Sequence, residues 1–83
     1  MNSRRIANQL ANTDAGRLLL AVDRLGGEAR SDQAEEATGF TSNQVRQLTR
    51  QLNRFKLVLL DQQSLAEDVD LTPLGREVAE HLR

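Results

Sequence analysis

Arg46, Arg50 and Arg54 recur every fourth residue in a stretch that also holds Asn43, Gln44 and Gln47. No Asp or Glu occurs from Ala37 to Leu60. Guanidinium groups pair with phosphate through a fixed fork of N–H donors. Arg also matches the acceptor edge of guanine, and Asn and Gln match the mixed edge of adenine. A solvated helix face usually mixes charge signs, because like charges four apart repel by roughly a few tenths of a kcal/mol. A like-signed row therefore predicts a face presented to a polyanion. Taken singly, Asn43, Gln44 and Gln47 have a plainer reading as capping and polar surface. Thr41 and Ser42 either cap the helix or donate to phosphate from its N-terminus. Lys56, Arg30, Arg4 and Arg5 are further candidates for phosphate contact, the last two on an N-terminal arm.

Other chemistries find little to work with. His81 is the only histidine and there is no cysteine, so a metal site would need carboxylates for every other ligand, and none cluster with it at ligand spacing. No Ser-His-Asp order, phosphate loop or paired carboxylates on an apolar background is present. Two Phe and no Trp or Tyr leave no base-stacking platform for single strands. The sequence implies no catalytic residue, no metal and no cofactor.

The arginine row needs a helix to carry it. Val45, Leu48, Leu52 and Phe55 recur at spacings of three and four, which predicts a helix over about 42–55 docked by that stripe on a core. Upstream, Thr13 caps a helix over Asp14–Leu25 that buries Leu18, Ala21, Val22 and Leu25, widened by Leu19 or Leu20, and Gly26-Gly27 stops it. Glu28-Ala29-Arg30 is too short for more than an extended link. Ser31 or Asp32 caps a short helix ending at Gly39, with Asp32 and Glu35 suited to a capping box and Ala34 and Ala37 on its buried face. Phe40, in the turn, plugs the core. Downstream, Leu57–Leu60 and the alternation around Val69 and Leu71 predict two strands, able to pair as a hairpin across Asp61–Glu67. Thr72-Pro73 starts a last helix striped by Leu74, Val78 and Leu82. Met1–Asn12, with Ile6 and Leu10, reads as a short helix or a partly ordered arm.

The chain has 83 residues, enough for one modest core. Its net charge of −1 does not by itself advertise a polyanionic partner, but its charge is segregated: residues 41–56 carry only positive side chains and 61–70 only negative ones. No apolar run approaches the ~20 residues that span a bilayer, and the N-terminus lacks a secretory signal's apolar core, which predicts a cytoplasmic protein.

The pieces SDQAEEATGFTSNQVRQLTRQL, NRFKLVLL and VDLTPLGREVAEHL, in that order, resemble the winged helix-turn-helix fold of small prokaryotic transcriptional regulators of the MarR, ArsR and PadR type. The resemblance covers about 13–83. It implies a mainly α fold with a small β-hairpin (α+β), built as a three-helix core, a wing at about 57–71 and a C-terminal helix at about 73–82, preceded by the arm or short helix at 1–12. Such families often have glycine where Lys56 stands. Their wings often carry Arg or Lys, whereas this one reads DQQSLAED, and an acidic wing repels a DNA backbone.

The reading implied is sequence-specific binding of double-stranded DNA by a small transcriptional regulator, with helix 42–55 in the major groove. Asn43, Gln44, Arg46 and Gln47 are the expected base readers, and Ser42, Arg50, Arg54 and Lys56 the expected phosphate holders. No small-molecule ligand is evident. A domain this small cannot bury both Ile6/Leu10 and Leu74/Val78/Leu82 against one three-helix centre, which predicts that one of these faces forms a homodimer seam. The rival reading is a winged-helix adaptor that binds protein through the acidic wing or exposed Val58, Leu60 and Leu65.

Overall fold

The computed structural model describes residues 2–61 and 68–83. Five helices and a three-stranded antiparallel sheet follow in the order α1 (Ser3–Leu10), α2 (Asp14–Arg24), β1 (Glu28–Arg30), α3 (Ser31–Thr38), α4 (Ser42–Arg54), β2 (Val58–Asp61), β3 (Asp68–Leu71) and α5 (Pro73–Leu82). This is a mainly α winged helix-turn-helix arrangement: α2, α3 and α4 form the helical core, and β2 and β3 form the hairpin. Residues 62–67, most of the expected wing tip, lie outside the described residues, and with them Leu65.

Each helix start follows from local chemistry. Thr13, Thr41 and Thr72 accept from the backbone N–H groups of Gly16, Gln44 and Gly75 at 3.1, 3.2 and 3.0 Å. The start of α3 is made differently from the expectation. Arg30 occupies the N-cap position, and Gln33 Oε1, rather than Glu35, accepts from its N–H at 3.0 Å. Gly39 ends α3 in the left-handed conformation, φ 79°.

One core joins the elements. Leu18, Leu19 and Val22 of α2, Val45 and Leu52 of α4, Leu57 and Val58, Val69 of β3 and Val78 of α5 are fully buried. Phe40 packs half-buried against this cluster, as a plug between helices. Glu28-Ala29-Arg30 does more than link. It pairs with β3, Ala29 opposite Val69, and makes β1 the third strand of a sheet ordered β1-β3-β2. Only a partner distant in sequence makes three residues with one alanine a strand.

Three burial expectations are corrected. Leu25 is 42% exposed and Phe55 36%. Both are C-cap residues: the apolar period runs on, but the helix has already turned. The Gly27 N–H returns to the Val22 carbonyl and the Leu57 N–H to the Leu52 carbonyl, each at 3.0 Å, which is the Schellman closure. Behind α4, Leu57 takes the core place that the stripe assigned to Phe55. On α3, Ala34 is buried but Ala37 is exposed. Thr38 turns inward instead, its hydroxyl satisfied by the Ala34 carbonyl at 2.7 Å.

The expected seam also closes within one chain. Residues 3–10 are a docked helix rather than an arm: α1 packs on α5, burying Ile6, Ala7 and Leu10 beside Val78 and Ala79, with Leu74 and Leu82 half-covered. Neither face is left over, so the reason for expecting a homodimer is gone. Arg83 pairs with Asp23 and fastens the end of α5 to α2. That hydrogen bond, with the charge of Asp23, raises the Arg83 pKa.

The start of α5 is seated on the chain between α4 and β2. The Thr72 hydroxyl donates to the Lys56 carbonyl at 2.7 Å, and the Thr72 N–H to the Leu57 carbonyl at 3.0 Å. A Cβ placed on Gly75 would fall on the Leu57 carbonyl oxygen. Backbone has little room to yield, so Gly75→Ala is expected to destabilise the fold by about 2–3 kcal/mol, the upper part of the range for core overpacking. Thermal unfolding followed by circular dichroism should show a Tm lowered by roughly 10–20 °C; an unchanged Tm would refute the close packing.

Candidate functional site

The side chains of α4 sort into two faces. Val45, Thr49 and Leu52 are buried and Leu48 is half-buried. Thr49 was not on the expected apolar stripe. It sits there because its hydroxyl donates to the Arg46 carbonyl at 2.9 Å, leaving its methyl to the core. At about 100° per residue, the direction opposite this buried line is held by Asn43, Gln47, Arg50 and Arg54. All four are exposed. Arg46 lies roughly a quarter-turn to one side, and Gln44 and Gln51 to the other.

The expected residues therefore do not stand alike. Gln47, Arg50 and Arg54 are brought together with Gln51 and Phe55 around a shallow groove of about 500 Å³. Gln51 was not singled out from the sequence, although its spacing of four from Gln47 placed it on the same side. Gln44 is partly committed. Its Oε1 accepts from the Thr41 N–H at 2.9 Å while its own N–H donates to the Thr41 hydroxyl, a reciprocal capping box. Only its amide NH2 remains to face outward. Thr41 caps the helix, and Ser42, the first helical residue, is exposed beside it.

Lys56 occupies a strained position. Its φ is 60°, left-handed backbone that a side chain adopts at a cost of roughly 1–2 kcal/mol. The Schellman closure requires that conformation at this place: Lys56 N–H donates to the Asn53 carbonyl at 2.9 Å and Leu57 N–H to Leu52. Asn53 Nδ2 also donates to the Val58 carbonyl at 2.8 Å, so the end of α4 and the start of β2 are fixed to each other. Lys56 is thereby held at a defined angle just beyond Arg54, with its side chain exposed.

Arg4 and Arg5 are exposed on α1, which is docked on α5 and has no free arm to extend. Arg30 lies on the sheet, paired with Asp32 at 3.3 Å. For the adaptor reading, Val58 is fully buried, Leu60 is half-buried and Leu65 lies outside the described residues. Among the described residues of the hairpin, the exposed large apolar side chain is Leu59, at 59%. His81 is exposed, and among the described residues no group of three His, Cys, Asp or Glu is placed to hold a metal ion. Among the described residues no helix is long and apolar enough to cross a membrane.

No protein-family model matches this chain, and no curated protein matches it in sequence. Among solved structures, it is similar to BpsR of Bordetella bronchiseptica, with a TM-score of 0.69 and 28% identity over 82% of this chain. It spans 54% of the BpsR chain. BpsR binds DNA, and 6-hydroxynicotinic acid regulates that binding.

The strain at Lys56 gives a stability test separate from any ligand. Lys56→Gly relieves it, offset in part by the greater freedom of glycine in the unfolded chain, and should raise the Tm by about 2–4 °C. Lys56→Ala keeps the strain and should not raise the Tm. Equal Tm values for the two variants would contradict a left-handed residue here.

Proposed function

We propose that this chain is a DNA-binding transcriptional regulator of the winged helix-turn-helix type, with α4 lying in the major groove. The observation that carries the proposal is the exposed, acid-free row Asn43-Gln47-Arg50-Arg54 on a helix whose opposite side is locked into the core. The likeness to BpsR, itself DNA-binding, supports it. Asn43 and Gln47, in the first two turns, are placed to read base edges, with Arg46 on the flank. Gln44 can join them only through its amide NH2. Arg50, Arg54 and Lys56 are the phosphate holders, with Ser42 at the helix N-terminus. A MarR-like relationship, sequence-specific readout and a cytoplasmic location belong to the same proposal.

A dimer is not required by this reading, because the apolar faces that suggested one cover each other. The number of copies on DNA can be read from salt dependence. Three cationic phosphate contacts, Arg50, Arg54 and Lys56, give a log–log slope of about −2.7, and two copies about −5.4. For one copy, binding to labelled random-sequence duplex, followed by fluorescence anisotropy, should weaken about 40-fold between ~50 and ~200 mM salt. Arg50→Ala should bind less tightly at ~50 mM and shrink that loss to about 12-fold. Absence of binding at ~50 mM salt, or an Arg50→Ala curve that coincides with wild type, would overturn the placement of α4 on DNA.

A further inference from the structure

The outer face of the sheet is the electrostatic opposite of α4. Ala29 and Val69 point inward, so Glu28 and Arg30 of β1 and Asp68 and Asp70 of β3 lie on the outer face, where they line a cleft of about 340 Å³ with Gln33. The strand register sets Glu28, Asp70 and Leu59 in one cross-strand row. Arg30 is already engaged by Asp32. Among the described residues, Glu28, Asp68 and Asp70 are in no ion pair, and neither are Arg50 and Arg54. Leu59, the most exposed large apolar side chain described, therefore stands beside acids. The groove on α4 inverts that composition: Phe55, 36% exposed, lies among Arg50, Arg54, Gln47 and Gln51.

We propose that the outer sheet face of one copy docks on the α4 groove of a second copy of this chain. Leu59 sits against Phe55, and the carboxylates of Glu28, Asp68 and Asp70 face Arg50 and Arg54. Complementarity of both charge and apolar character selects this occupant over an unrelated partner. With a net charge of −1, two copies have almost no overall repulsion to overcome. The contact is made largely between exposed charges, so the association is weak and falls as salt screens them. The contact joins unlike faces, which lets association continue past two copies where geometry does not close it. Anything bound in the groove of α4 excludes the second copy. That exclusion of DNA rests on the function proposed above; the self-association does not.

Sedimentation equilibrium up to ~1 mM protein tests this. In ~25 mM salt the weight-average mass should rise above the 9.3 kDa of one chain, and in ~500 mM salt return to it. Leu59→Ser, Asp70→Arg and Arg50→Glu should each weaken the association at least about tenfold. An equimolar mixture of Asp70→Arg and Arg50→Glu should regain it, because each variant supplies the charge the other now needs; that recovery also shows both are folded. A wild-type chain that stays monomeric at low salt overturns the proposal. So does an association that ignores salt or these substitutions, or a mixture that fails to regain it.

Discussion

Two backbone carbonyl groups, those of Lys56 and Leu57, hold the three parts of the molecule in register. They lie where α4 ends and β2 begins, and α5 starts by donating to both through the hydroxyl and N–H of Thr72. Thr72 also caps α5, so one residue serves as cap and as tie. Gly75 lets the first turn of α5 lie directly on the Leu57 carbonyl. Leu57 is buried, so its carbonyl needs a partner. Here satisfying both carbonyls fixes the angle between the helix that bears the arginines and the hairpin beside it.

That rigidity accounts for the left-handed Lys56. A helix C-terminus can be closed in other ways, but only the Schellman turn sends Leu57 straight back into the core beside Leu52. Glycine would adopt the turn without strain, yet would leave no cation there. Lysine adds positive charge at the C-terminal end of α4, where the helix dipole favours it.

Charge is laid out in the same economical manner. Nearly neutral as a whole, the molecule sets Arg46, Arg50 and Arg54 on α4 with no acid among them and Glu28, Asp68 and Asp70 on the outer sheet face, and both patterns arise from secondary-structure period. With a buried line at Val45, Thr49 and Leu52, the far side of α4 is set by the helical repeat. With Val69 inward, Asp68 and Asp70 must point outward.

Much of this was legible in the chain itself. Thr13, Thr41 and Thr72 as caps, the Gly39 turn, Pro73 at a helix start and the apolar periods of α2, α4 and β3 are local signals, and local energetics decide them. The arginine row needed only the helical repeat. Contacts between distant residues decided the rest. Glu28–Arg30 became a strand because β3 offered an unpaired edge, and Thr49 became a core residue because a carbonyl one turn away satisfied its hydroxyl. Leu25 and Phe55 left the core because their helices turned one residue before the apolar period ended. Ile6 and Leu10 found cover on α5, some seventy residues along the chain. Short-range hydrogen bonding and side-chain period can be read from sequence because their partners are neighbours. Burial and strand pairing cannot, because their partners are chosen only when the chain closes on itself.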